Sequence, residues 1–477
     1  MQMRKMLTML LCAVLITAQL AAQNRTVTGK VTDANGKPVA NASVVVKGTS
    51  TGTTTNNDGN FSITVSPSSK VLIFSSIGLA EQEVNIGNKG IINAFLQSVD
   101  QSLKEVVVVG YGVQKKKEVT GAIAKLGGDD IENKPFTSID KALQGGIAGL
   151  QSVAASGQPG AAQNIRLRGI GSISAGANPL WVIDGVPVNT GDLSRLSTTS
   201  NALSTINPND IESISVLKDA SAASIYGSRA ANGVILVTTK KGKSGKTKFR
   251  FDTEIGQSDI AFYNEKYRPL NSKEFFDLTR EGLISGGQAA NAAAADALMT
   301  SSFGFGNGVD FDWLKGVTQV AGQKQFNLSA SGGNDKTTFF LSGGYFEQEG
   351  LTTQSKFKRY NSNLSVSNQA TDKLKLEANV KAGYVKQNAP LSGGSFGNPV
   401  LSALFLLPSR NPYKADGSFN ISAPDFGTGA LHNTIATNGL DKRQLNQINI
   451  GSYVKASYKI IKDLELSSQF GLDYNNF

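Results

Sequence analysis

The most reactive side chains are nearly absent from this chain of 477 residues, which has one cysteine, Cys12, and one histidine, His432. A zinc site built from Cys and His needs three or four ligands, more than these two supply. A Cys–His nucleophilic pair is equally excluded, because Cys12 lies in a segment whose pattern marks it for removal. A single cysteine also rules out a disulfide framework. Nothing resembles a nucleophile–base pair or a paired-carboxylate site, so we expect no enzyme, no catalytic residue, no metal and no cofactor. The remaining chemistry is that of the main chain. Glu105-Val106-Val107-Val108-Val109-Gly110-Tyr111-Gly112 is a β-branched apolar run bounded by charge and glycine. Such a run can add itself as an extra strand to the open edge of a partner's sheet. An ordinary buried strand has the same spacing. The context favours strand addition, because the run lies in a linker and is followed at once by Lys115, Lys116 and Lys117.

The elements that must position this run are mostly β. Hydrophobic residues make up 40% of the chain and charged ones 18%, enough to build sizeable cores in two to four domains. Fifty-one glycines against 13 prolines suit an all-β chain with many tight turns. The net charge of +10 is concentrated in residues 99–248, where lysines cluster at 115–117 and at Lys240, Lys241, Lys243, Lys246 and Lys248. Only Phe249 stands beside these clusters, which argues for solvated linker flanks and against nucleic acid.

Residues 1–22 read as a secretory signal peptide: Arg4 and Lys5 precede the apolar run Leu7 to Ile16, and Ala21-Ala22 lead to Gln23. No later stretch approaches 18 apolar residues, so any membrane insertion must use strands. Over 23–98, short alternating runs (Thr26 to Val31, Ala42 to Lys47, Phe61 to Val65, Val71 to Ser75, Ile91 to Leu96) are separated by the turn pairs Asn35-Gly36 and Asp58-Gly59. The pattern Val27-x-Gly29-x-Val31-x-Asp33, Gly36-Lys37-Pro38-Val39, Val46-Lys47-Gly48-Thr49 and Asp58-Gly59-x-Phe61 resembles the carboxypeptidase regulatory-like domain. That resemblance implies a transthyretin-like β-sandwich without catalysis.

After a connector at 99–114, residues 115–243 read as a compact α+β body. Ile165 to Leu167, Leu180 to Ile183, Ile211 to Leu217 and Gly233 to Thr239 are expected strands, Ser138 to Ile147 and Ala220 to Tyr226 short helices, and Asp184-Gly185 a hairpin turn. Arg166, Arg168, Lys218, Asp219 and Arg229 are charges set beside apolar residues; such charges are rarely buried unpaired, and these fit routine surface ion pairs as well as charged contacts at a rim. Gly169-x-Gly171 lacks the third glycine of a dinucleotide fingerprint.

Residues 244–477 alternate. Leu374, Leu376, Ala378, Val380, Ala382 and Tyr384 interleave with polar residues, as do runs around Ile448 to Tyr458 and Leu464 to Tyr474, and others begin at Phe249, Phe326, Thr338 and Leu364. These make about seven strands of about ten residues, the length a tilted transmembrane strand requires. Residues 259–320, with Tyr263, Tyr267, Phe275, Phe276 and Trp313, and 387–440 are too long for periplasmic turns and fit outward loops, the first holding a capped helix at Ser272 to Ile284.

The ordered motifs Ala142-Leu143-Gln144-Gly145, Ser156-Gly157-Gln158-Pro159-Gly160, Ile165-Arg166-Leu167-Arg168-Gly169, Trp181-Val182-Ile183-Asp184-Gly185, Leu217-Lys218-Asp219 and Tyr226-Gly227-Ser228-Arg229-Ala230-Ala231-Asn232-Gly233 resemble the plug domain of the SusC/RagA-type TonB-dependent outer-membrane transporters. The resemblance implies a mainly β fold: a transthyretin-like β-sandwich, an α+β plug domain, and the first strands of a transmembrane antiparallel β-barrel. It also implies a cleaved leader with the amino terminus in the periplasm, and a TonB-type inner-membrane energy transducer contacting Glu105 to Val109. A SusD-like surface lipoprotein, an oligosaccharide or peptide substrate and surrounding outer-membrane lipid follow from the same resemblance. About seven strands do not enclose a plug, since plugged transporters close with about 22. An amino-terminal portion of a longer chain is therefore expected, with a signal-transducing receptor or a non-functional fragment as alternatives.

Overall fold

The computed structural model describes residues 25–477 apart from 34–35, 68, 77–78, 88, 97–105, 110–111, 116–122, 155, 172–175, 191–200, 220–222, 262–267, 391–396, 423–425 and 427–431. The leader pattern, Glu105, Tyr263 and Tyr267 lie outside the described residues. The chain divides into two compact units, 1–106 with 115–117, and 107–114 with 118–477, each of which is described by itself.

The first unit is a β-sandwich. Strands β1 (Arg25–Asp33), β2 (Ser43–Val46), β3 (Gly52–Thr54), β4 (Asn60–Val65), β5 (Val71–Ser76), β6 (Leu79–Asn85) and β7 (Ala94–Leu96) form sheets ordered β4-β1-β7 and β3-β2-β5-β6. Alternation places Val27, Val31, Val44, Phe61, Ile63, Leu72 and Phe74 in one buried core, where Phe61 meets Phe74 edge-on with ring centroids 5.3 Å apart. β8 (Val106–Val109) and β9 (Gly112–Lys115) pair with each other in a two-stranded sheet.

In the second unit, residues 123–239 make the α+β body. Strands β10 (Ile123–Gly127), β11 (Leu150–Ala154), β12 (Gln163–Leu167), β13 (Leu180–Ile183), β14 (Val186–Val188), β15 (Ile211–Leu217) and β16 (Val234–Thr239) give a mixed sheet ordered β10-β15-β16-β13-β14 and a β11-β12 hairpin. β13 throughout and β16 over Val234–Val237 are apolar because both sheet faces are covered. Trp181, Ile183, Ile235 and Val237 point into one core, while Leu180, Val182, Val234 and Leu236 point into the other. The expected helix at Ser138 to Ile147 is only a 3-10 turn at Lys141–Leu143, while the described part of the one at Ala220 to Tyr226 is helical at Ala223 and runs into the 3-10 stretch Ser224–Ala230. Gly227, at φ 69°, kinks this stretch just past the end of the expected helix.

The remaining strands form one antiparallel meander: β17 (Gly245–Ser258), β18 (Ala321–Gly333), β19 (Thr337–Glu349), β20 (Lys356–Gln369), β21 (Leu374–Asn388), β22 (Gln444–Ile461) and β23 (Leu464–Asn476). Their 13 to 18 residues exceed the expected ten, because the pairing runs on beyond the apolar stretch at both ends. The sheet is open, with β17 and β23 as its edges. Its burial is the inverse of a water-soluble sheet. Phe251, Leu328, Leu341, Leu364, Val380, Val454 and Phe470 are exposed, whereas Gln325, Asn327, Arg359, Asn363, Asn379 and Gln447 are buried. Such a pattern is stable where the outer solvent is hydrocarbon and the inner side is polar. From Leu374 to Tyr384 the outward apolar positions span ten rises, roughly 33 Å along the strand and roughly 25 Å in height at a 40° tilt, the thickness of an outer-membrane apolar band. Phe326, Tyr345, Tyr360 and Tyr384 then form a continuous row of rings across β18 to β21, with centroids 6.3, 5.0 and 6.2 Å apart.

The three tightest connections of this wall, residues 334–336, 370–373 and 462–463, lie at one end, and the six-residue link 350–355 lies at the opposite one. The long ones, 259–320 and 389–443, lie at the other and pack together. They carry α1 (Ser272–Ser285), α2 (Ala292–Phe303), α3 (Trp313–Val317), α4 (Pro399–Ala403) and α5 (Thr434–Leu440). α1 starts in a capping box of Asn271 and Glu274. Trp313 joins the two loops by stacking edge-on against Phe311 and Phe426 and donating from Nε1 to the Leu407 carbonyl at 2.9 Å.

Candidate functional site between body and wall

The β13–β14 hairpin turns through Asp184 and Gly185, both at positive φ (49° and 84°), the geometry a two-residue turn between twisted strands demands. That turn aims the Asp184 carboxylate at the end of β16, where it accepts from the Thr239 amide and hydroxyl at 2.8 Å each, and at the wall, where Lys381 Nζ approaches to 2.5 Å. Burial by itself pushes the Asp184 carboxyl up; the Lys381 ammonium and the two Thr239 donors outweigh it and hold the group below the ordinary carboxylate range. The Asp184 carbonyl also accepts from Gln469 Nε2 of β23 at 2.8 Å.

A second set of charges secures the link from β16 to β17. Glu132 of the body takes Lys240 on one side and Arg250 of β17 on the other, the latter at 2.7 Å, and these two cations hold its carboxyl low against the opposing effect of burial. Lys241 reaches Glu377 of β21 at 2.9 Å.

The third contact is made by Arg359 of β20, which is 1% exposed. Its guanidinium donates to the Thr137 carbonyl at 2.7 Å and stacks over Phe346 at 5.2 Å. On the body side Asp210 is buried, and desolvation raises its carboxyl to about 6 despite Lys240, Arg359 and Lys381 nearby. Neutral groups fill the surroundings: Asn207 Nδ2 donates to Asn327 Oδ1 at 2.8 Å, and Gln387 Nε2 to the Pro159 carbonyl at 2.8 Å. Gly383 lets the two surfaces meet, because a Cβ there would stand 2.6 Å from the Thr205 carbonyl oxygen. The seam is tied by side-chain hydrogen bonds and ion pairs, as in interfaces whose partners separate.

Asp184 and Gly185 of the sequence motifs therefore lie on this seam. So does Pro159, whose carbonyl takes Gln387, while the charged motif residues form contacts within the body. Arg168, at φ 58°, pairs with Asp219 at 2.6 Å, beside Gly169 at φ 97°. Lys218 donates to the Ala148 carbonyl at 2.6 Å. Arg166 meets Asn178, and Asn232 donates to the Gly176 carbonyl at 2.6 Å. Gly233 has φ 87°, with Leu167 filling the space a Cβ would need. Tyr226 and Arg229 lie on the turn kinked at Gly227. Val106, Val107, Val108 and Val109 lie on β8. Sequence reasoning missed Arg359, Lys381, Asp210, Glu132 and Glu377 as contacts. Their only signal was position: Arg359, Glu377 and Lys381 occupy the inward phase of the alternation.

Comparison with known proteins adds to this geometry. Residues 115–234 match the TonB-dependent Receptor Plug Domain, and residues 27–108 match the CarboxypepD_reg-like domain. The chain is 35% identical over 446 residues to the TonB-dependent receptor P26 of Formosa agariphila, covering 93% of this chain and 42% of the relative. It is 32% identical over 496 residues to the TonB-dependent receptor SusC of Bacteroides thetaiotaomicron, covering 99% of this chain and 46% of SusC. Among solved structures, the RagAB peptide importer in its open-open state superposes with a TM-score of 0.64 and 30% identity over 78% of this chain and 42% of that one. The chain thus spans less than half the length of each.

Proposed function

The chain belongs to the SusC/RagA-type family of TonB-dependent transporters, and from that premise we propose that the protein imports an oligosaccharide or a peptide across the outer membrane as the pore partner of a SusD-like surface lipoprotein. The observation that carries this reading is the inside-out wall with a polar body seated against its buried face through Asp184–Lys381, Arg359 and the Asn207–Asn327 bond. A stopper held by polar contacts can leave when pulled, whereas one held by a large apolar interface cannot. In this reading residues 1–22 are the leader, 23–98 the periplasmic sandwich, 99–114 the connector, 115–243 the plug and 244–477 the wall with its outward loops. Glu105 to Val109 is the segment a TonB-type inner-membrane transducer grips by strand addition, converting inner-membrane energy into displacement of the plug. Likeness to a peptide importer supports the peptide arm of the substrate class.

The test is uptake of labelled peptides and labelled oligosaccharides by cells carrying the full-length gene. Val107→Pro removes one main-chain donor from the gripping segment. Uptake should fall to background while the amount of protein in the outer membrane stays constant. Undiminished uptake by the variant would overturn the role of the segment, and uptake of neither class by the unaltered protein would overturn the substrate class.

A further inference from the structure

On the outward face of the wall, one row of side chains stands immediately above the rings of Tyr345, Tyr360 and Tyr384, towards the long-loop end. The strand register makes this row Lys324, Glu347, Lys358, Lys386 and Asn446, in order across β18 to β22. One row further out lie Glu349 and Lys356. Like charges directly opposite one another destabilise an antiparallel pair, yet Lys358 and Lys386 are direct cross-strand partners. Glu347 balances only part of this charge: it lies 2.7 Å from Lys356 and 3.5 Å from Lys358 and takes the Tyr345 hydroxyl as well. Glu349 lies 3.1 Å from Lys356. Lys386 has Lys358 on one side and Asn446 on the other, with a carboxylate on neither. The opposite end of the wall differs. Each of its three short turns carries one lysine and one aspartate, Asp335 with Lys336, Asp372 with Lys373, and Lys462 with Asp463. Excess positive charge on the lipid-facing surface is thus confined to the long-loop end, at the depth where an aromatic row marks the boundary of the hydrocarbon.

We propose that Lys358 and Lys386 bind the phosphate of a lipid headgroup in the outer leaflet, whose apolar part lies against Tyr360, Tyr384 and Val380 below. This rests on the reading of the wall as a membrane-spanning barrel and adds a specific lipid contact to it. A phosphate seated between Lys358 and Lys386 converts their mutual repulsion into two charge-assisted contacts. It also gives the wall a fixed depth in the bilayer, since the rings and the lysines mark two adjacent levels.

The test uses the full-length protein purified from outer membranes in a neutral detergent, titrated with a phosphorylated lipid A and, separately, with its dephosphorylated form, and followed by native mass spectrometry. Lys358→Gln with Lys386→Gln should weaken binding of the phosphorylated lipid by tenfold or more and leave the dephosphorylated lipid unaffected. Lys358→Arg with Lys386→Arg should retain it. Equal binding of the phosphorylated lipid by the Gln variant, or equal binding of both lipids by the unaltered protein, would overturn the proposal. The heat-modifiable gel mobility of the same samples reports whether the barrel itself is formed, so its loss in the unaltered protein would count against the barrel reading and not against the lysine site alone.

Discussion

Asp184 at the tip of a plug hairpin and Lys381 in the middle of a wall strand lie 2.5 Å apart, 17% and 2% being the side-chain exposures of the lysine and the aspartate. A buried pair of this kind costs more to break than it contributes net, since removing one partner strands the other. Lys381→Met should destabilise the plug by about 3–5 kcal/mol, and Asp184→Asn introduced into that variant should recover part of the loss. The measurement is denaturant unfolding of the full-length protein, with entry of a large hydrophilic antibiotic into cells as the second readout. Equal stability of Lys381→Met and the unaltered protein would mean that the pair does not hold the plug. The sign with pH follows from the depressed carboxyl of Asp184: its stabilisation is present above about pH 4 and is lost as pH falls through the lower folded-state value.

Asp210 behaves in the opposite sense. Burial raises its carboxyl to about 6, so the folded protein keeps a proton that the unfolded chain releases at about pH 4. Stability therefore falls as pH rises from about 4 to about 6, by about 3 kcal/mol in all, and stays lower above that. Asp210→Asn should flatten this slope and make the protein more stable at pH 8 than the unaltered chain. Unfolding midpoints at pH 5 and pH 8 decide the matter, and an unchanged slope in the variant would show that another group carries it.

Gly383 concerns close approach. With the Thr205 carbonyl oxygen 2.6 Å from the place a Cβ would occupy, Gly383→Val must push the plug from the wall, at a cost of about 1–3 kcal/mol. Limited proteolysis should then cut within residues 123–239 sooner while the heat-modifiable barrel persists; an unchanged cleavage rate would contradict the close contact.

Trp313 ties the two long loops together. Replacing it by alanine removes two ring contacts and the bond to Leu407, a loss of about 3–5 kcal/mol to the loop pair. Hydrogen exchange should accelerate in residues 389–443 as well as in 259–320. Acceleration confined to 259–320 would mean that the loops fold independently.

The parts of this molecule that could be read from sequence were those with a local signature. Period-two alternation located all seven wall strands because lipid on one side and a polar lumen on the other demand opposite chemistry from successive residues. Asp184-Gly185 and the Asn271 cap are likewise local signals, fixed by φ and by hydrogen bonds within a few residues. The seam was not legible in the same way. Arg359 meets Thr137 across more than 200 residues of chain, and nothing near either residue names the other. Alternation told which way Lys381 points, not that a hairpin tip would be there to meet it. The helix expected at Ser138 to Ile147 fell short for a local reason, Gly145 at positive φ inside a run that otherwise favours helix.

The lengths of the wall's connections also order its assembly. Closing a loop of about 60 residues costs about 3 kcal/mol more entropy than closing one of about three. The strands β18 to β21, joined by links of three, six and four residues, and the hairpin β22–β23 can therefore zip as local units, with contacts near in sequence and fast to form. β17 and the join of β21 to β22 must then wait for these preformed units to meet, so strand register within each unit is set before the large loops ever close.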